Sequence, residues 1–315
     1  MDAGAIARLV GGALRGDAPG DLTRVAPLDA AGPTDVAVLF ARPSLRLQQQ
    51  LSACRAGLLV CREEVDSPCA QLVVEDPRRA LVGLISALHP RPAPTGVHPS
   101  AVIDDGATIG QGTAIGALAY VSGDVVVGDG CRIGPGVRLL DGTRIGDGVW
   151  IGANSVIGER GFGYLEPDPS GVRDPIPQIG GVIIADGAHL GALCAVDSGT
   201  LTATQIGAHA RLDNLVQVGH NAAVLEGAVL CGQAGLAGSA TVGAGAVLAG
   251  QTGVIDHTAI GPGAVLMARS AAFRDVPAGA VYGGTPARPR SQWLRERATL
   301  SRLVRRGGTE ESHDD

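Results

Sequence analysis

A six-residue beat is the condition this chain must satisfy before any other. Aliphatic residues recur at Ile103, Ile109, Ile115, Val121, Val127, Ile133, Leu139, Ile145, Ile151 and Ile157. The beat returns at Ile184, Leu190 and Val196, slips by four residues, and holds again from Ile206 through Leu212, Val218, Val224, Leu230 and Leu236 to Leu266. Two places before each aliphatic stands a small or β-branched residue, such as Ala107, Thr113, Cys131, Ser155, Cys194 or Ala240, and one place after it comes glycine in half of the repeats. Helices repeat at about 3.6 residues and strands at 2, so neither accommodates a period of six. Hexapeptide repeats fold as a parallel β-helix. Each six supplies one short strand and a turn, three sixes close a triangular coil, and the aliphatic fills the interior beside its small neighbour. Glycine at the bend is expected to supply the backbone freedom of a tight corner. About 24 hexads over residues 97 to 272 predict roughly eight coils, stacked ~4.8 Å apart.

Composition agrees with a solenoid. The 315 residues include 48 glycines and only 3% aromatics, which suits a core of aliphatic corners, and the length allows two or three units. A net charge of −6 argues against a nucleic-acid partner. No apolar run is long enough to span a bilayer, and no basic-then-apolar leader opens the chain, so it reads as cytoplasmic. Six cysteines match no zinc or disulfide spacing, and Cys131 and Cys194 fall in the small inward slot as buried thiols.

Residues 1 to 96 lack the beat. Strand patterns at 36–40, 57–61 and 71–74, with helical patterns at 6–10, 45–53 and 78–88, predict a small α/β domain, followed by a stiff Pro90-to-Pro94 linker. Between 159 and 178 the beat stops for an insertion, which a β-helix must push outward, and binding groups often sit on such loops. It carries Phe162 and Tyr164, a large share of the scarce aromatics. Residues 273 to 315 form a C-terminal extension. Trp293, Leu294, Leu300, Leu303 and Val304 on one side, with arginines elsewhere, predict a basic amphipathic helix before a disordered tail at 307–315.

The stacking period locates candidate chemistry. His220 follows inward Val218 by two places and so projects from the wall, and three hexads further lies Gly238, one coil above. A backbone N–H at Gly238 is thereby placed as an oxyanion donor beside an imidazole whose ordinary pKa of about 6.5 suits a general base. His257 lies one residue past two coils from His220, on nearly the same wall about 10 Å along the axis. Asp213 and Asn214 stand one hexad earlier, at an adjacent wall or corner, where Asp213 can orient a histidine, including one across a subunit boundary. The competing readings are a surface histidine, or zinc held between subunits with help from His189 or His209, although their spacing does not make them converge. No phosphate-binding loop, nucleophile elbow or paired-cysteine motif appears.

Gly161-Phe162-Gly163-Tyr164, Ile176-Pro177-Gln178-Ile179-Gly180, Asp213-Asn214 through Gly219-His220-Asn221, and Val254-Ile255-Asp256-His257 together resemble the UDP-3-O-(3-hydroxyacyl)glucosamine N-acyltransferases of lipid A biosynthesis. Gly16-Asp17, Val25-Ala26-Pro27-Leu28 and His98-Pro99-Ser100-Ala101-Val102 extend the likeness over most of the chain. The resemblance implies a mainly β fold, a left-handed parallel β-helix with a small N-terminal α/β domain and a C-terminal helix. It implies a homotrimer with active sites in clefts between prisms, taking a 3-hydroxyacyl chain from acyl carrier protein onto the glucosamine 2-amine. The phosphopantetheine arm arrives with the carrier, and no metal or dissociable cofactor is implied. On this reading His220 is the base, Asp213 supports it, Gly238 donates to the oxyanion and His257 assists. Phe162, Tyr164, Gln178, Asn214, Asn221, Asp197, Phe40 and Arg42 are candidates for substrate contact, and Arg288, Arg290, Arg295 and Arg297 for the acidic carrier. Two positions depart from the family pattern: Leu45 stands where a uracil-stacking tyrosine is expected, and Asp197-Ser198-Gly199 where Asp-Arg-Gly is. A transferase for another nucleotide amino sugar, with coenzyme A as a possible donor, and a catalytically degenerate trimeric scaffold therefore stay open.

Overall fold

The structure, a computed structural model, describes residues 1–40, 44–90 and 94–307. Arg42, residues 91–93 of the linker and the tail from 308 lie outside the described residues. Contacts divide the chain into Met1–Ala93 and Pro94–Asp315.

The first unit is a five-stranded sheet in the order Ala13–Arg15, Ala70–Val73, Leu58–Cys61, Asp35–Val38, Arg24–Val25, with only the Ala13–Arg15 edge antiparallel. Alternation along the central strands sends Val36, Leu58, Val60 and Leu72 to one face, under helices Ala3–Val10 and Pro77–Leu88. Ala37, Leu59 and Cys61 face the other way, under helix Leu45–Ser52. The Pro77–Leu88 helix starts where Asp76 accepts from the N–H groups of Arg78 and Arg79, and Pro77 needs no donor in the first turn. Strands Ala13–Arg15 and Arg24–Val25 are too short and too exposed to have shown a pattern in the sequence.

The second unit is the left-handed parallel β-helix, with walls of eight, ten and nine strands. Ladder partners are eighteen residues apart, as in Val126 opposite Arg144 and Val229 opposite Val247. The wall continues past residue 272, because Val265 pairs with Val281. Every residue of the beat from Ile115 to Leu266 is buried, and Cys131 and Cys194 occupy the inward slots as expected. Burial pushes both thiols up, so neither is poised as a nucleophile.

Where glycine follows the aliphatic, it has a different task from the one expected. Gly128 has an ordinary backbone, and the positive φ falls two places later, at Gly130. At the same corner position in other coils Asn221 and Gln233 adopt it. What Gly128 provides is room: a Cβ there would lie 2.6 Å from the Gly146 carbonyl carbon and 2.4 Å from Asp147 Oδ1. Gly128→Ala should therefore cost about 1–3 kcal/mol by overpacking, read as a lower denaturant midpoint at unchanged slope. An unchanged midpoint would show that the coils separate freely.

Beyond the last coil, Arg288–Pro289 pairs back on Val281–Gly283 and leads into helix Arg290–Gly307. Trp293 lies against Gly284, where a Cβ would fall 2.5 Å from Trp293 Cδ1. The helix is amphipathic as expected, but Leu294, Leu300, Leu303 and Val304 remain exposed.

Candidate active site

Two breaks in the beat meet at one place. Ladder spacing jumps from 18 to 39 residues between Val156 and Ala195, then to 22 between Ala195 and Gln217. The long excursion leaves as an arm of two short antiparallel segments, with Ile176 N–H donating to the Gly163 carbonyl and Leu165 N–H to that of Asp174. The four-residue slip makes a bulge at 200–203. Arm and bulge are tied by Ile179 N–H to Thr200 O at 2.9 Å and Gly180 N–H to Gly199 O at 2.7 Å.

His220 stands where they join. A Cβ on Gly161 would lie 2.6 Å from His220 Cβ, and one on Gly238 would lie 2.7 Å from both Cε1 and Nε2 of the ring. The imidazole is thus flanked by two bare backbones. Its Nδ1 is 3.1 Å from Asn221 Oδ1. The amide of Asn221 has its orientation set, because Nδ2 donates to the Thr202 carbonyl at 3.0 Å, which can only accept. Oδ1 also accepts from Thr200 N–H at 3.1 Å, so it faces His220 as an acceptor. Thr200 Oγ1 is 2.9 Å from both Gln178 Oε1 and Asn221 Oδ1, and its single proton links arm to bulge. An acceptor at Nδ1 holds the proton there and leaves Nε2 with its lone pair, toward Gly238. Gly238 N–H donates to no described atom, while its carbonyl accepts from His257 N–H at 3.2 Å.

Carboxylates line the wall below. Glu159 pairs with Asp197 in the ladder, and Asp197 lies one coil under Gly219. Gln217 Nε2 donates to Asp197 Oδ1 at 3.1 Å. Burial pushes the Asp197 carboxyl up, Gln217 and the charge of His220 oppose this, and Glu159 adds to it.

Residues 106–141 match the family described as bacterial transferase hexapeptide (six repeats). The chain is 45% identical over 327 residues to UDP-3-O-acylglucosamine N-acyltransferase of Granulibacter bethesdensis, covering 97% of this chain and 94% of the relative. It is 46% identical over 307 residues to the Caulobacter vibrioides protein of the same name, covering 91% and 89%. The chain belongs to the UDP-3-O-acylglucosamine N-acyltransferase family. It is an acyltransferase enzyme, and its solenoid is similar to UDP-N-acetylglucosamine acyltransferase from Campylobacter jejuni, with TM-score 0.56 and 28% identity over 70% of this chain and 86% of that one.

Within this N-acyltransferase the expected residues divide. His220, Gly238, Asn221 and Gln178 come together, with Asp197 on the wall below. Asp213 does not touch His220 in one chain: its oxygens accept from the N–H groups of Asn214 and Gly232. Asn214 likewise accepts from Ala192 N–H, so the pair staples coils at another corner, and in a single chain the ring partner is Asn221. His257 is exposed, and its backbone N–H donates to the Gly238 carbonyl. Phe162 and Tyr164 stack edge to face at 5.1 Å, with Arg160 over the tyrosine ring. Arg288 is ion-paired to Glu296 at 2.7 Å, whereas Arg290, Arg295 and Arg297 are exposed. Phe40 borders a separate cleft of about 1230 Å³ in the first unit, with Val25, Leu81 and Ile85. His189 lies against Trp150, ring centroids 5.5 Å apart, and among the described residues no group of three or more His, Cys, Asp or Glu is placed to hold a metal. No described helix is long and apolar enough to cross a membrane. Thr200, Thr202, Gly161 and Glu159 were not anticipated; the four-residue slip was the signal for the first two.

Proposed function

We propose that this enzyme transfers a 3-hydroxyacyl group from acyl carrier protein to the 2-amine of UDP-3-O-acylglucosamine, the N-acylation of lipid A biosynthesis in the cytoplasm, with His220 as general base. The observation that carries this reading is the seating of the His220 ring, with Nδ1 3.1 Å from Asn221 Oδ1 and its Nε2 edge against the Gly238 backbone, an arrangement in which an acceptor at Nδ1 leaves Nε2 to take a proton. The amine nitrogen attacks the thioester carbonyl carbon and gives a proton to Nε2. The developing oxyanion takes the Gly238 N–H, the C–S bond breaks, and the imidazolium returns its proton to the departing thiolate. Amide and thiol are the products. The exposed Phe162, Leu165, Val172, Ile179 and Leu201 support a subunit surface beside the site, as a homotrimer with sites between prisms requires. Phe40 beside its cleft supports stacking on the nucleobase.

Acylation of another nucleotide amino sugar is a second reading, favoured by Leu45, which stands 85% exposed where a stacking tyrosine is expected. Incubation with carrier proteins loaded with a series of 3-hydroxyacyl chains, and with matching coenzyme A thioesters, distinguishes the two when product is read by mass. Transfer to UDP-3-O-acylglucosamine from the carrier supports the first reading, and transfer only to another amino sugar supports the second. Arg295→Glu with Arg297→Glu should raise KM for the carrier about tenfold, with weaker salt dependence and unchanged kcat. An unchanged KM would place the carrier elsewhere.

A further inference from the structure

We propose that Asp197 is the residue that makes this site accept an amine and refuse a hydroxyl. The inference rests on His220 being the base. Asp197 sits on the outer face of the wall, between inward Val196 and Ser198 and in register one coil below Gly219, the residue before His220, whose charge acts on its carboxyl. Its Oδ1 is held by Gln217 Nε2, which leaves Oδ2 without a described partner. Glu159 lies one coil further down, so the wall under the base presents two carboxylates and no described ion-pair partner for either.

The selectivity follows from counting hydrogens. A neutral amine has two N–H bonds and a lone pair: one hydrogen goes to His220 Nε2, the second to Asp197, and the lone pair remains for the acyl carbon. A hydroxyl has a single hydrogen, which the base must take. Nothing is left for the carboxylate, whose oxygen then faces the hydroxyl's remaining lone pair without a proton between them. The same carboxylates attract the amine in its protonated form, which gives its extra proton to solvent before attack, so the acceptor arrives nitrogen first.

The test compares the wild-type enzyme with Asp197→Asn and Asp197→Glu, using acyl-carrier thioester and two acceptors: UDP-3-O-acylglucosamine and its analogue bearing a 2-hydroxyl. Asparagine would turn its carbonyl to Gln217 and present an NH2 donor, which reverses the preference. Asp197→Asn should lower kcat/KM for the amine about 10- to 100-fold while the hydroxyl analogue holds or gains, and Asp197→Glu should recover part of the loss. Equal losses on both acceptors with a lowered melting temperature, or no change on either, would overturn the inference. A wild-type enzyme that fails with the amine would overturn the proposed acceptor and this inference with it, whereas an active wild type with an indifferent Asp197→Asn removes this inference alone.

Discussion

Replacing His220 with alanine is expected to lower kcat by about 10²- to 10⁴-fold, the usual contribution of a positioned general base. Stability should not follow. The ring lies outside the aliphatic core, held by one bond to Asn221 and by contact with two glycine backbones, so its removal opens no cavity in the stack. Circular dichroism and the unfolding midpoint should match wild type. A variant that keeps near-normal turnover would remove the base from the mechanism, and one that unfolds would show the corner to be structural.

The second large effect is predicted at Gly238. Alanine there adds a single methyl, and it lands 2.7 Å from both Nε2 and Cε1 of His220, closer than the ring tolerates. Backbone strain is no part of this, because Gly238 is absent from the positive-φ positions. The ring must swing aside, taking Nε2 away from the acceptor amine while the Gly238 N–H stays in place. Loss of about 10² in kcat is expected, since a misplacement near 1 Å costs that much in a preorganised site. Gly250→Ala is the control: its methyl meets only Gly232 O at 3.5 Å, an ordinary contact. If Gly238→Ala were as active as Gly250→Ala, the closeness of ring and backbone would have no catalytic meaning.

Much of this was legible because a solenoid writes its ladder into the chain. Adding eighteen to a position gives its hydrogen-bonded neighbour, so the His220 and Gly238 column followed from arithmetic, as did the inward slots of Cys131 and Cys194. The glycine rule was half right, since a recurring glycine marks a corner without saying whether the need is φ or space. Spacing offers Asp213 as a partner for a histidine and the family resemblance offers Asn214 as a substrate contact, yet within one chain each accepts from backbone N–H groups that lie nearer, those of Asn214 and Gly232 for Asp213 and that of Ala192 for Asn214. The arm and bulge were visible only as breaks in the beat. Their mutual hydrogen bonds, from Gln178 through Thr200 to Asn221, depend on how two insertions fold over one another, which no period encodes. The exposed apolar side of the C-terminal helix shows the same limit: periodicity names a face, and packing decides whether this chain covers it.

The most direct measurement is a structure of the enzyme with UDP-3-O-acylglucosamine and a non-transferable amide analogue of 3-hydroxyacyl-phosphopantetheine. The acceptor nitrogen should lie within about 2.6–3.2 Å of His220 Nε2, with the analogue's carbonyl oxygen directed at the Gly238 N–H. An acyl carbonyl bound away from this corner, or an acceptor amine out of reach of Nε2, would contradict the account.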